Sequence, residues 1–160
     1  MRRDGARAII VPMIGIPTAA TRREPEDERL ARVSHLPHAM AAMYALAIAY
    51  ASLQPFGEWM APLPGTPFWA FTPWSMRATR FDIVANVLAY LPLGCFVALL
   101  PPRATPARRA AIAALAGAAL SAAMETLQWF LPARSASVTD LVANAAGALA
   151  GGLAGAFYAQ

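Results

Sequence analysis

Residues 81–100 read FDIVANVLAYLPLGCFVALL, a stretch whose only charge, Asp82, stands at its very start. A bilayer core about 30 Å thick is crossed by roughly 20 predominantly apolar residues in a helix, so this stretch predicts a membrane span. Pro101 and Pro102 close it, because proline supplies no amide donor and turns its predecessor away from helix. Pro92 lies inside the span and is expected to kink it. Lipid tolerates such a kink where neighbours satisfy the freed carbonyl.

Working outward, three further stretches have the same character: His38–Leu53, Ala107–Leu131 and Val138–Phe157. Pro55 ends the first. The whole chain agrees: of 160 residues 58% are hydrophobic and 14% charged, against about a quarter charged in soluble domains, and mean hydropathy is +0.45. The fold class expected is an all-α integral membrane four-helix bundle. The basic residues are scattered, so no nucleic-acid footprint is present. The lone Cys95 can neither form an internal disulfide nor complete a zinc site, and reads as a small apolar side chain.

Orientation follows from arginine, since cytoplasmic segments carry the excess of positive charge. Arg2, Arg3, Arg7, Arg22, Arg23, Arg29 and Arg32 precede the first span, and Arg103, Arg108 and Arg109 separate the second from the third. Only Arg77, Arg80 and Arg134 fall in the other two loops. Both termini are therefore expected in the cytoplasm, with the chain as a multi-pass membrane protein. Trp59, Trp69, Trp74 and Trp129 then all fall at the opposite interface, and the loop Pro55–Arg80 is expected to lie on the membrane surface. Residues 1–36 form a tail of mixed charge, expected to be poorly ordered apart from one short helix, ahead of a four-helix domain over 37–158. Arg2 and Arg3 followed by an apolar patch ending near Ala20 resemble a signal peptide only weakly, since Pro12 and Pro17 interrupt the patch.

A repeat organises the polar residues. DIVAN at 82–86 returns as DLVAN at 140–144, and upstream SLQPF at 52–56 matches TLQWF at 126–130. Each half thus reads as a helix, a Gln-bearing end, a loop with arginine, an Asp-x-Val-Ala-Asn start and a second helix. Two repeated helical hairpins follow, related by an axis along the membrane normal. Gln54, Gln128, Asp82 and Asp140 all arrive at one face, with Asn86 and Asn144 a turn deeper on the same helical faces. Glu125 lies six residues inside Leu131, about 9 Å deep at 1.5 Å per residue. A carboxylate at such depth costs on the order of 2.5–3.5 kcal/mol, so it needs a partner or a proton. Arg134 is the first partner expected, then Arg77 or Arg80.

Two readings of this polar set stand side by side. It can bind the helices together, or it can engage a ligand, as intramembrane ionisable residues commonly do. Gly147, Gly151 and Gly155, with Ala113, Gly117 and Ser121, form small-residue stripes that let helices approach closely, within the chain or between it and a second copy or a membrane protein partner.

Arg80-Phe-Asp82-x-x-x-Asn86 leading to Leu91-Pro92-Leu-Gly94 resembles the first signature of the VanZ-like membrane proteins. Glu125-x-x-Gln128-x-Phe, then Arg134, then Asp140-x-x-x-Asn144-x-x-Gly147 resembles the second. The likeness covers roughly His38 to Tyr158. It implies a small helical membrane protein, with an association to teicoplanin resistance carried by the founding member. Within the repeat, Ala51 stands where the second half has Glu125, so the site is asymmetric.

Three functions compete. In the first, Arg77, Arg80 and Arg134 meet the phosphate of an anionic lipid or lipid-linked envelope precursor. Asp82, Asp140 and Glu125 then hold those arginines, beside Asn86, Gln128 and Asn144. In the second, a membrane enzyme uses Glu125 as acid or base on a lipid phosphate or acyl group. In the third, the chain is a structural subunit of an envelope-synthesis complex. No nucleophile–base pairing, metal-ligand spacing or phosphate-cradling glycine loop is present, so neither cofactor nor metal is expected.

Overall fold

The computed structural model describes residues 26–71 and 79–160 of the chain. Four helices make up the fold: α1 (Glu26–Leu53), α2 (Arg80–Ala98), α3 (Pro106–Gln128) and α4 (Val138–Tyr158), with a short 3-10 turn at Trp69–Phe71. Among the described residues there is no strand. Each helix contains a segment long and apolar enough to cross a membrane: His35–Leu53, Arg80–Ala98, Pro106–Gln128 and Val138–Tyr158.

Local chemistry sets the boundaries. Thr79 caps α2 by accepting the Asp82 N–H at 3.2 Å, while the Asp82 carboxylate accepts the Thr79 N–H at 2.9 Å and its hydroxyl at 2.7 Å. This reciprocal box satisfies two of the amides left over at a helix start. Thr105 caps α3, with Pro106 in the first helical position, and Ser137 caps α4. Pro92 sits within one continuous α2. Helix α1 starts at Glu26, ahead of the expected His38, and runs through Pro37. The good helix formers of EDERLARVSHL let one helix extend beyond the apolar segment. Residues 1–25, including the stretch that resembles a signal peptide, lie outside the described residues.

Small side chains build the interior and large ones face outward. Ala98, Ala113 and Ala148 are fully buried beside Tyr90, Leu93 and Val97, whereas Phe81, Leu88, Leu115, Leu153 and Phe157 are exposed. That inversion suits lipid, which solvates large apolar groups as well as a core does, so close backbone packing becomes the source of attraction. The glycine stripe of α4 lies against α2 of the same chain. A Cβ on Gly147, Gly151 or Gly155 would collide in turn with the Val87, Leu91 and Cys95 carbonyl oxygens. The matching order shows that α2 and α4 run parallel. On the other flank of α4, Ala148 and Gly152 meet Gly117 and Ala113 of α3.

Helix α1 leans on α2 and α3 through Ala41, Ile48 and an edge-on Tyr44–Phe96 pair, ring centroids 6.0 Å apart. Its other side exposes Leu36, Met40, Met43, Leu46 and Tyr50. At the bundle end where α2 begins, the connecting loop folds back onto α3 and the α3–α4 turn. The Met60 N–H meets the Phe130 carbonyl at 3.0 Å, and the buried Trp69 indole donates to the Thr126 hydroxyl at 3.2 Å. Trp59 is exposed, while Trp74 lies outside the described residues.

At the opposite end, Arg109 is buried and holds the α2–α3 turn together. Its guanidinium donates to the Ala98 carbonyl at 2.7 Å, Ala104 at 3.1 Å and Pro102 at 3.3 Å. The first of these is one of the carbonyls that α2 leaves unpaired at its end. Read from sequence, Arg109 was only a mark of orientation; it is also a structural clamp.

Candidate functional site

Polar side chains spaced four apart rise along three helices towards the bundle end where α2 and α4 begin. Asn86 and Tyr90 lie on α2, Ser121 and Glu125 on α3, Asp140 and Asn144 on α4. Such spacing keeps each pair on one helical face. Between these faces and α1 lies a cavity of about 590 Å³. Six of the nine sequence-derived site residues line it: Asn86, Glu125, Gln128, Arg134, Asp140 and Asn144. Ala47, Ile48 and Met124 give it an apolar wall.

The other three stand apart. Arg80 is exposed at the first position of α2, off the cavity lining. Asp82 is exposed and committed to the Thr79 capping box. Arg77 lies outside the described residues. The repeated pentapeptide therefore splits in role, since the first aspartate caps its own helix and the second faces the cavity. Gln54 likewise is exposed in the turn after α1, whereas Gln128 is engaged.

Glu125 is 3% exposed, and its partner is not an arginine. Its carboxylate accepts the backbone N–H of Ser137, the cap residue of α4, at 2.6 Å. Helix α3 ends at Gln128 rather than near Leu131, which places Glu125 about 4.5 Å from the helix end at 1.5 Å per residue. The chain turns over it, so the start of α4 becomes its ceiling. The positive end of a helix dipole then supplies what the expected guanidinium would have supplied. Among the described residues no ion pair joins Glu125 to an arginine.

Arg134 instead donates to the Ala51 carbonyl at 3.0 Å, and the Gln128 amide donates to the Ser52 carbonyl at 2.9 Å. Both carbonyls belong to the last turn of α1, where orphan acceptors and the negative dipole end favour a cation and amide donors. These two bonds fix the cavity wall contributed by α1. The exposed Arg134 guanidinium has donors to spare at the cavity rim.

Deeper down, the Asn144 amide donates to the Ser121 hydroxyl at 2.9 Å, and the Tyr90 hydroxyl is buried without a hydrogen-bond partner. Asn86 and Asp140 line the same cavity. Tyr90 and Ser121 were missed as site residues. A signal for each was present, because Tyr90 follows Asn86 by four and Ser121 precedes Glu125 by four. Among the described residues no cluster of three His, Cys, Asp or Glu side chains could hold a metal ion.

The arrangement combines an arginine at the rim, two carboxylates and three amides within, and an apolar wall. It offers an amphiphile one surface for each of its parts. A family model described as VanZ/LLP1 matches residues 9–158, so the match reaches further towards the N-terminus than the motifs do. No curated protein and no solved structure matches the chain.

Proposed function

The chain belongs to the VanZ/LLP1 family and is a multi-pass membrane protein with four candidate spans, and from that premise we propose that its cavity binds the headgroup of an anionic lipid. The observation that carries this reading is the joint lining of one cavity by Arg134, Glu125, Asp140, Asn86 and Asn144 beside Ala47, Ile48 and Met124. Its 590 Å³ falls within the roughly 300–1,000 Å³ typical of small-molecule sites.

Arg134 meets the phosphate, because guanidinium donors form strong charge-assisted bonds with phosphate oxygens. The carboxylates and amides take hydrogen-bond donors of the attached sugar, polyol or peptide. The arginine distribution supports a cavity on the outer face of a bacterial inner membrane, within reach of lipid-linked envelope precursors. Holding such a precursor would lower the amount a glycopeptide can reach, which connects this reading to the family's association with teicoplanin resistance.

The protein purified in mild detergent should retain anionic lipid above the level kept by an unrelated four-span protein, as read by mass spectrometry of the extracted lipids. Arg134→Ala should lower that retention. Equal retention by the unrelated protein would sink the proposal. The enzyme reading draws its support from two carboxylates sharing the cavity. Turnover of the bound lipid that vanishes in Glu125→Gln, a change that keeps shape and the Ser137 contact, would favour it instead.

A further inference from the structure

The faces that α1 and α2 turn to each other lose their burial towards one end. On α2, Ala89 and Leu93 share a helical face with Phe96, the ring that meets Tyr44 of α1. Leu93 is 3% exposed, whereas Ala89, a turn nearer the start of α2, is exposed. On α1, Ala41 and Ile48 are buried, and Ala51, three residues further on, is exposed. The two helices therefore part towards the end where α1 stops and α2 begins. There the last turn of α1 is tied to the opposite flank, through Gln128 and Arg134.

The cavity opens where they part. Ala47, Ala51 and Ala89 are exposed and line the cavity, so they frame its mouth on this side. Ala89 stands nine residues inside the start of α2 and Ala47 six residues inside the end of α1. At 1.5 Å per residue these depths are about 13 Å and about 9 Å. Both helices are candidate spans, so a mouth at this depth faces acyl chains rather than water. Behind the alanines stand Asn86, Glu125, Gln128 and Asn144. Polar groups open to hydrocarbon cost stability unless a polar group meets them. A molecule with a polar head and an apolar chain suits both sides of the frame, and alanine leaves the chain room to pass.

We propose that the cavity is loaded sideways from the bilayer: an anionic membrane lipid passes its headgroup between α1 and α2 and keeps an acyl chain in the slot framed by Ala47, Ala51 and Ala89. This rests on the lipid-binding reading above and specifies its ligand as a lipid resident in the membrane rather than a soluble anion. The competing apolar path from Arg134 runs over the α3–α4 turn, past Met60, Leu131 and Pro132.

Photolabelling separates the two paths. Phosphatidylglycerol and phosphatidylcholine carrying the same diazirine on one acyl chain are each placed in phosphatidylcholine vesicles with the full chain, and labelled sites are mapped by mass spectrometry. Leu115, 70% exposed on α3, gives the labelling of an ordinary outer surface. Relative to Leu115, the phosphatidylglycerol probe should label residues 47–51 and 85–89 about fivefold more than the phosphatidylcholine probe, a preference of roughly 1 kcal/mol. Ala89→Phe sets a ring across the slot from an exposed position and should remove most of that excess. Ala51→Phe does the same from α1 and serves if Ala89→Phe lowers membrane abundance. Leu88→Phe, exposed and off the cavity lining, should leave the excess in place.

Phosphatidylglycerol label concentrated on Met60, Leu131 and Pro132 would overturn the slot and keep the lipid-binding reading. Slot labelling equal for the two probes, with phosphatidylglycerol still retained in detergent above the unrelated protein, would do the same. An excess unmoved by the phenylalanine variants would mean a chain resting on the outer surface, and would also overturn the slot. Equal labelling without retention would overturn both.

Discussion

The Glu125 carboxylate accepts the Ser137 backbone N–H at 2.6 Å, so a deeply buried acid is tied to the cap residue of the helix that follows it. One short turn thereby joins the end of α3 to the start of α4 through a hydrogen bond between a carboxyl group and a helix terminus. Replacing Glu125 with Ala removes the acceptor and leaves a part-buried amide unpaired, which should cost about 1–3 kcal/mol. Replacing it with Gln preserves an acceptor and should cost less than about 1 kcal/mol. Thermal unfolding of both variants in detergent, followed by circular dichroism, checks the difference. Equal loss in the two would mean that charge rather than acceptance holds the turn.

Helix α1 depends on the same end of the bundle. It packs lightly, and Gln128 and Arg134 reach across to the carbonyls of Ser52 and Ala51. Each single alanine variant should cost little, about 1 kcal/mol, because Gln128 is only half-buried and Arg134 is exposed. Together they should free the last turn of α1. Hydrogen exchange of residues near 50–53 should speed up in the double variant while that of α4 stays unchanged. Uniform acceleration in both helices would place the effect in the whole bundle.

The spans were legible because length and hydropathy suffice for them: α2, α3 and α4 lie within a few residues of the stretches marked by apolar runs and proline. The gathering of Asn86, Glu125, Gln128, Arg134, Asp140 and Asn144 was legible too, since spacing along each helix and the alternation of spans bring them to one end. Partners were not. Ser137 holds Glu125 through a backbone amide, and every residue but proline has one, so no side-chain pattern marks it. Arg134 turned to a helix terminus for the same reason. The pentapeptide misled in one respect: Asp82 and Asp140 look equivalent, yet Thr79 captures the first in a capping box.

Arg109 tests how much a buried guanidinium contributes away from the cavity. Its three carbonyl partners, Ala98, Pro102 and Ala104, come from the end of α2 and the turn beyond it. Removing the side chain leaves the Ala98 acceptor buried without a donor, and bonds from a charged donor each contribute about 1.5–3 kcal/mol. Arg109→Ala should therefore lower membrane abundance several-fold, as a quantitative blot of membrane fractions would show. Lysine cannot present the same planar fork, so Arg109→Lys should recover only part of the loss. Full recovery by lysine would mean that charge alone matters at this turn.

Gly151 sits directly against the backbone of α2. An added Cβ would collide with the Leu91 carbonyl oxygen, a backbone atom that cannot swing aside as a flexible side chain could. The helices must then separate, and the neighbouring contacts of Gly147 with Val87 and Gly155 with Cys95 loosen with them. Overpacking of this kind costs typically about 1–3 kcal/mol. Gly151→Ala should lower the unfolding midpoint accordingly. Leu115→Ala offers the matched control, because Leu115 is 70% exposed on the outer surface of α3 and its removal should change the midpoint little. If Gly151→Ala proved as harmless as the control, the parallel packing of α2 on α4 would be wrong, and the cavity between their faces would fall with it.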